Sequence, residues 1–305
     1  GILKIVKHSE TNLMYLEISE IIESEERLNR LIKGLTKYLK SSTFVLQIRG
    51  IEMDNAIVIC SPKVVNIIID FFDNTMEDLI IENKLSNIIN NEISIWKLII
   101  NILEGLYNSS EIGIEGQMIH SKSVVYQKIK NKWALIPSFL FKTNNLTESV
   151  LKKKHFCSPE LFFQSLSKTN KYLIVDNDKS NIFSIGILIL YILGIVNKKE
   201  LDLSLIYNSL NVTIDFELLK KKLKICVEDI YSPLLYTVLS DMLEEFEYNR
   251  LSSKELFNIL NPEFSNSNNK FDVNYKSILN KYITSKQDKN HEIIFNKFDN
   301  FYNND

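Results

Sequence analysis

The run "IFSIGILILYILGIV", Ile182 to Val196, is apolar on every side of any helix it can form. A helix with no polar face cannot lie at a surface, so the chain must build a core around it. The run is also too short to cross a bilayer, which takes about 20 apolar residues. We read it as a core helix and expect no membrane span. The 305 residues, 45% of them hydrophobic, suffice for one large core or two smaller ones.

Composition removes several function classes. A net charge of -2 leaves no basic footprint of the kind that nucleic acid requires. Cys60, Cys157 and Cys226 are far apart and odd in number, which suggests buried thiols in a reducing compartment and a cytoplasmic location. His8, His120, His155 and His291 form no metal-ligand spacing, so neither metal nor other cofactor is expected from them. No leader-like stretch is read, and the start at Gly1 suggests a piece of a longer protein.

Periodicity then changes along the chain. "LMYLEIS", "FVLQIRGI" and "VVNIIIDFF" read as strands. Between the first two, Leu28, Leu31, Ile32, Leu35 and Leu39 follow helical spacing and make one apolar face. After Phe72 the pattern is helical, with Ile95, Leu98, Ile99, Ile102, Leu103 and Leu106 on one face and Ser94 as the N-cap. Two short β-type runs, "KSVVYQ" and "KWALIPSF", interrupt the helices, and Ser252 with Glu255 forms a capping box for a last helix. We therefore divide the chain into a β-rich part with one helix (1–72), a helical part (73–260) and a polar C-terminal extension (261–305).

"FCSPELF", residues 156–162, sets a carboxylate, Glu160, among Phe and Leu. Buried there it needs a cation or several donors. Three segments resemble, in order, a eukaryotic protein kinase domain. "CSPELF" is similar to the Ala-Pro-Glu segment. "KSNIFSIGILILYIL" is similar to the buried D-x-W-S-x-G helix, with Asn181 at its aspartate and free to cap or accept hydrogen bonds. "MLEEFEYNRLSSKELFNIL" is similar to the segment whose arginine pairs with that glutamate. The resemblance implies an α+β, bilobal fold: a small β-rich lobe and a larger α-helical lobe, entered near its second strand without a glycine loop. It implies a buried Glu160–Arg250 pair, and a guanidinium can meet a carboxylate with two parallel bonds.

The resemblance also places a nucleotide cleft, with Tyr15 and Leu16 on the third strand, Ile69 as gatekeeper, and Asp70 and Phe71 in the hinge. The family's lysine falls on Glu17, its His-Arg-Asp on Glu115-Gly116-Gln117, and its Asp-Phe-Gly on Ser138-Phe139-Leu140. The helix glutamate falls at Leu31 or Ile32, so no ion pair is expected there. Independent of register, the chain has no aspartate between Asp78 and Asp176, the interval that holds both catalytic aspartates of a kinase. Glu17, Gln117 and Ser138 are therefore degenerate positions. The expectation is a pseudokinase, a scaffold or allosteric partner for an active kinase or other signalling protein. It would bind no magnesium, and at most ATP weakly and without metal. The alternative is a divergent active serine/threonine kinase or nucleotide-binding domain using Glu115. Lys152–Lys154 is read as a solvated loop, and Thr143, Thr147 and Ser149 as residues of the activation-segment equivalent.

Overall fold

The computed structural model describes residues 2–22, 24–39, 46–53, 63–114, 118–140, 156–161, 176–195, 216–227, 230–264 and 274–287. The architecture is mixed α+β, with a small antiparallel sheet and several helices. Strands β1 (Ile2–Lys7), β2 (Met14–Ile22), β3 (Ile48–Met53) and β4 (Lys63–Asp70) form a sheet of order β1-β2-β4-β3. Every pairing in it is antiparallel. Helix α1 (Glu25–Leu39) connects β2 to β3. Then come β5 (Asn74–Thr75), α2 (Met76–Ile81), α3 (Glu92–Glu111) and the hairpin β6 (Val124–Gln127) and β7 (Lys132–Leu135), which pairs with β5.

Among the described residues the remaining elements are helical: α4 (Asn177–Ile192), α5 (Phe216–Val227), α6 (Pro233–Met242), α7 (Ser253–Phe264) and a helix α8 over 275–287. Helix starts follow local chemistry. Thr75 with Asp78, and Asn91 with Ser94, make capping boxes for α2 and α3. Ser94 is thus the third helical residue and not the cap, because the short Asn91 side chain reaches the Ser94 amide first. Asp176 caps α4, so Asn181 lies inside the helix, buried and without the capping role. Ser232 caps α6 with Pro233 following, and Ser252 exchanges bonds with Glu255 before α7.

Buried apolar side chains fall into two clusters. The larger surrounds α4, which is buried continuously from Ser180 to Leu190, and gathers α3, α6, α7 and one face of the hairpin. Ile278 and Tyr282 of α8 are also buried in it, with Lys286 and Tyr282 both bound to Asp241. This part of the polar extension is therefore core, and its apolar residues at i and i+4 were outweighed by the Asn- and Lys-rich composition around them. The smaller cluster lies between the four-stranded sheet, α1 and the other face of the hairpin.

The buried face of α1 is Arg27, Leu31, Leu35 and Tyr38. Ile32 and Leu39 are exposed. The helix turns an arginine inward in place of an isoleucine, and Gly34 lets it approach the hairpin's exit. A Cβ at Gly34 would lie 2.5 Å from the Phe139 ring, while Tyr38 meets the same ring edge-on at 5.8 Å. Replacing Gly34 by Ala should therefore lower stability. Overpacking costs about 1–3 kcal/mol and outweighs the roughly 1 kcal/mol gained in helix propensity. Denaturant titration checks this, with Gly34→Ala/Phe139→Leu expected to lose less than Gly34→Ala alone.

Candidate functional site

Period-2 alternation decides which residues of β2 face α1. Leu16, Glu20 and Ile22 are buried on that face with Ile18 partly so, while Tyr15, Glu17 and Ser19 lie on the other. Glu17, expected in the cleft, points to the outer face, where it accepts a bond from Ser19 Oγ at 3.1 Å and lies 4.0 Å from Lys4 of the neighbouring strand. Tyr15 shares that outer face. The apolar run marks the chain position of the strand but not its phase.

The charge that does face inward is Glu20. Arg27 of α1 meets it with two parallel bonds, Nε to Oε1 at 2.8 Å and Nη2 to Oε2 at 2.6 Å. Its remaining Nη1 donates to the Phe139 carbonyl at 2.8 Å. Strand, helix and hairpin exit are therefore joined by one guanidinium, and both partners are almost fully buried. An ion pair was not expected in this helix. Its signal was present: Glu20 occupies an apolar position of the β2 alternation, as Glu160 does among its phenylalanines. Lys37 extends the same seam by donating to the Gly113 carbonyl, where the backbone turns with φ of 65°.

Leu16 and Ile69 pair across β2 and β4, both buried. They share one cluster with Phe72 and with Val125, Ala134 and Ile136 of the hairpin. The link after β4 is tied to its surroundings. The Asp70 amide donates to the Gln47 carbonyl at 2.8 Å, and Gln127 Nε2 donates to the Phe71 carbonyl at 3.0 Å. The Asp70 carboxylate, nearly buried, accepts from Arg49 Nε at 2.6 Å and Lys130 Nζ at 3.0 Å. Burial works to raise its pKa, but the Arg49 and Lys130 bonds overcome it and hold the carboxyl below its ordinary range.

The turn before the hairpin is self-satisfied. Buried His120 accepts from the Lys122 amide through Nδ1 at 3.1 Å, and Ser121 Oγ donates to Glu77 Oε2 at 2.7 Å. Among the described residues, no three His, Cys, Asp or Glu side chains gather where they could hold a metal ion. Ser138, Phe139 and Leu140 form a short 3-10 turn in which Phe139 and Leu140 are buried. Glu115, Gly116 and Gln117 lie outside the described residues, as do Thr143, Thr147, Ser149 and Lys152–Lys154.

Glu160 and Arg250 are brought together in the larger cluster. Nη1 lies 2.6 Å from Oε1 and Nη2 3.2 Å from Oε2. Arg250 is fully buried, and its other donors reach the carbonyls of Lys179, Glu244 and Glu245. Its guanidinium carbon stands 4.9 Å over the Phe183 ring. Ser180 Oγ donates to Glu160 Oε1 at 2.9 Å. Burial would raise the Glu160 pKa, but the bonds from Arg250 prevail and lower it. Neighbouring Cys157 is buried, and that burial pushes its thiol pKa far up, away from nucleophilic use.

Compared with known families and with characterised proteins, the chain matches none.

Two outcomes follow from these pairs. Removing either partner of Glu160–Arg250 strands a buried charge, so Arg250→Met should cost about 3–5 kcal/mol in urea unfolding. Because the Glu160 pKa is depressed by folding, its stabilisation is present above the unfolded-state pKa and is lost as pH falls through the folded-state value. The stability gap between the wild type and Glu160→Gln should thus be widest near neutral pH. It should narrow as the titrations are repeated through the acidic carboxylate range, and a pH-independent gap would contradict the assignment.

Proposed function

We propose that the chain is a catalytically inactive, bilobal protein kinase-like domain that works as a scaffold or allosteric regulator through protein contacts. The observation that carries this reading is the Glu20–Arg27 pair. A kinase sets a strand lysine against a helix glutamate, so that the lysine can neutralise phosphate. Here the strand carries the carboxylate and the helix the cation, and the cation's Nε, Nη1 and Nη2 are all engaged by Glu20 and the Phe139 carbonyl. A strand–helix tie is present, at other positions than the family's and with the opposite polarity. A phosphate beside it would meet an arginine whose Nε, Nη1 and Nη2 are already engaged.

The space for a base is unfavourable as well. An adenine would have to part Leu16, Ile69 and Phe72 from Val125 and Ala134, which share one buried cluster. It would also compete with Gln127 for the Phe71 carbonyl and with Gln47 for the Asp70 amide. Mg-ATP thus fits neither the charge nor the packing of this region, and even metal-free ATP faces both obstacles. The aspartate-free interval between Asp78 and Asp176 supports the same reading for magnesium, which demands hard oxygen ligands. Among the described residues no helix is long and apolar enough to cross a membrane. We place the domain in the cytoplasm on its widely spaced cysteines.

Calorimetry with Mg-ATP and a radiolabelled phosphorylation assay test the proposal. The expected result is no micromolar affinity and no incorporated phosphate. A like-charge contact of a few kcal/mol corresponds to a loss of about two orders of magnitude in affinity. Micromolar affinity together with phosphate incorporation that Glu115→Ala abolishes would replace this reading with a divergent kinase.

A further inference from the structure

Phe246 and Tyr248 stack on each other at the surface, with ring centroids 5.4 Å apart and planes at 15°. They remain 50% and 41% exposed. Large aromatic side chains are what protein interfaces bury at their centres. The backbone that carries them is braced from below by Arg250, which donates to the Glu244 carbonyl at 2.8 Å and the Glu245 carbonyl at 3.0 Å. The Phe246 and Glu247 carbonyls accept from the amides of Asn249 and Arg250, closing the turn. Two rings held this way lose little freedom when a partner covers them.

The surroundings of the rings are acidic. Glu245 and Asp176 are exposed, and Glu247 Oε2 accepts from the Asp176 amide at 3.3 Å. Burial, aided by nearby Glu160 and Asp176, holds the Glu247 carboxyl above its ordinary pKa. Among the described residues no ion pair reaches Glu245, Glu247 or Asp176, whereas Glu244 is paired with Lys220. An exposed aromatic stack on a turn that also carries Glu245 and Glu247, neither of them in an ion pair among the described residues, is complementary to one side chain above others. A guanidinium is planar and weakly hydrated, stacks on aromatic faces and binds a carboxylate through two bonds, whereas an ammonium is a strongly hydrated point charge.

We propose that Phe246 and Tyr248, with Glu245, Glu247 and Asp176, form a docking surface for an arginine-bearing segment of a protein partner. This rests on the scaffold reading only for the existence of a partner. Fluorescence polarisation of the intact chain tests it, using fluorescein-labelled hexapeptides that alternate glycine with arginine, lysine or glutamate. The arginine peptide should bind, the lysine peptide at least about threefold more weakly, and the glutamate peptide not at all. Phe246→Ala/Tyr248→Ala should weaken the arginine peptide at least about tenfold, Glu245→Lys several-fold, and Tyr248→Phe little. No binding of the arginine peptide at about 1 mM, equal binding of the lysine peptide, or undiminished binding in both weakening variants would overturn the surface. Should the double variant fail to fold, Glu245→Lys, at an exposed position, decides alone. Failure here with no phosphate incorporation leaves the inactive-domain reading standing. Phosphate incorporation with arginine binding retained sinks that reading and spares the surface.

Discussion

Much of the small sheet's relation to the rest of the molecule depends on where the Arg27 guanidinium points. It is nearly buried, so its charge must be met by acceptors within the protein. Glu20 supplies two acceptors from β2, and the Phe139 carbonyl supplies a third from the hairpin exit. A fork with fixed donor directions sets the angle between strand and helix more strictly than apolar packing can. The Gly34–Phe139 approach and the Tyr38 ring edge then fill the contact that this angle permits.

Arg250 plays the corresponding part in the larger cluster. It fixes Glu160 to the start of α4 through Lys179 and Ser180, and it fixes the 244–250 turn through two carbonyls. Asp178 adds a tie from α4 to α7 by accepting from the Ser253 amide at 2.8 Å. One buried cation therefore links a residue interior to the core with a turn that faces solvent. The turn that carries the exposed Phe246–Tyr248 stack is tied to the core by that link.

What the sequence made legible follows the range of each interaction. Strand runs, helix runs, the Ser252–Glu255 box and the all-apolar α4 depend on neighbours within a few residues, and they were readable. The phase of β2 was not, because a slip of one residue turns every side chain of a strand to its other face, and only packing against α1 settles which face is inward. The partners of Asp70 were equally hidden. Arg49 and Lys130 are 21 and 60 residues away, and only the folded register of β3 and the hairpin brings them to it. Helix α8 was missed for another reason: Ile278 and Tyr282 carry its burial against a polar background that averages to an extension.

Two buried arginines carry the long-range ties of this molecule, and each is met by a carboxylate through two parallel bonds. Apolar residues of similar volume often replace buried ion pairs without loss of stability. What a guanidinium adds is direction, because its other donors reach carbonyls on separate elements: Phe139 for Arg27, and Lys179, Glu244 and Glu245 for Arg250. The first tie sets β2 and α1 against the hairpin exit. The second sets the start of α4 against the turn that carries Phe246 and Tyr248, and that turn bears its aromatic side chains out to solvent.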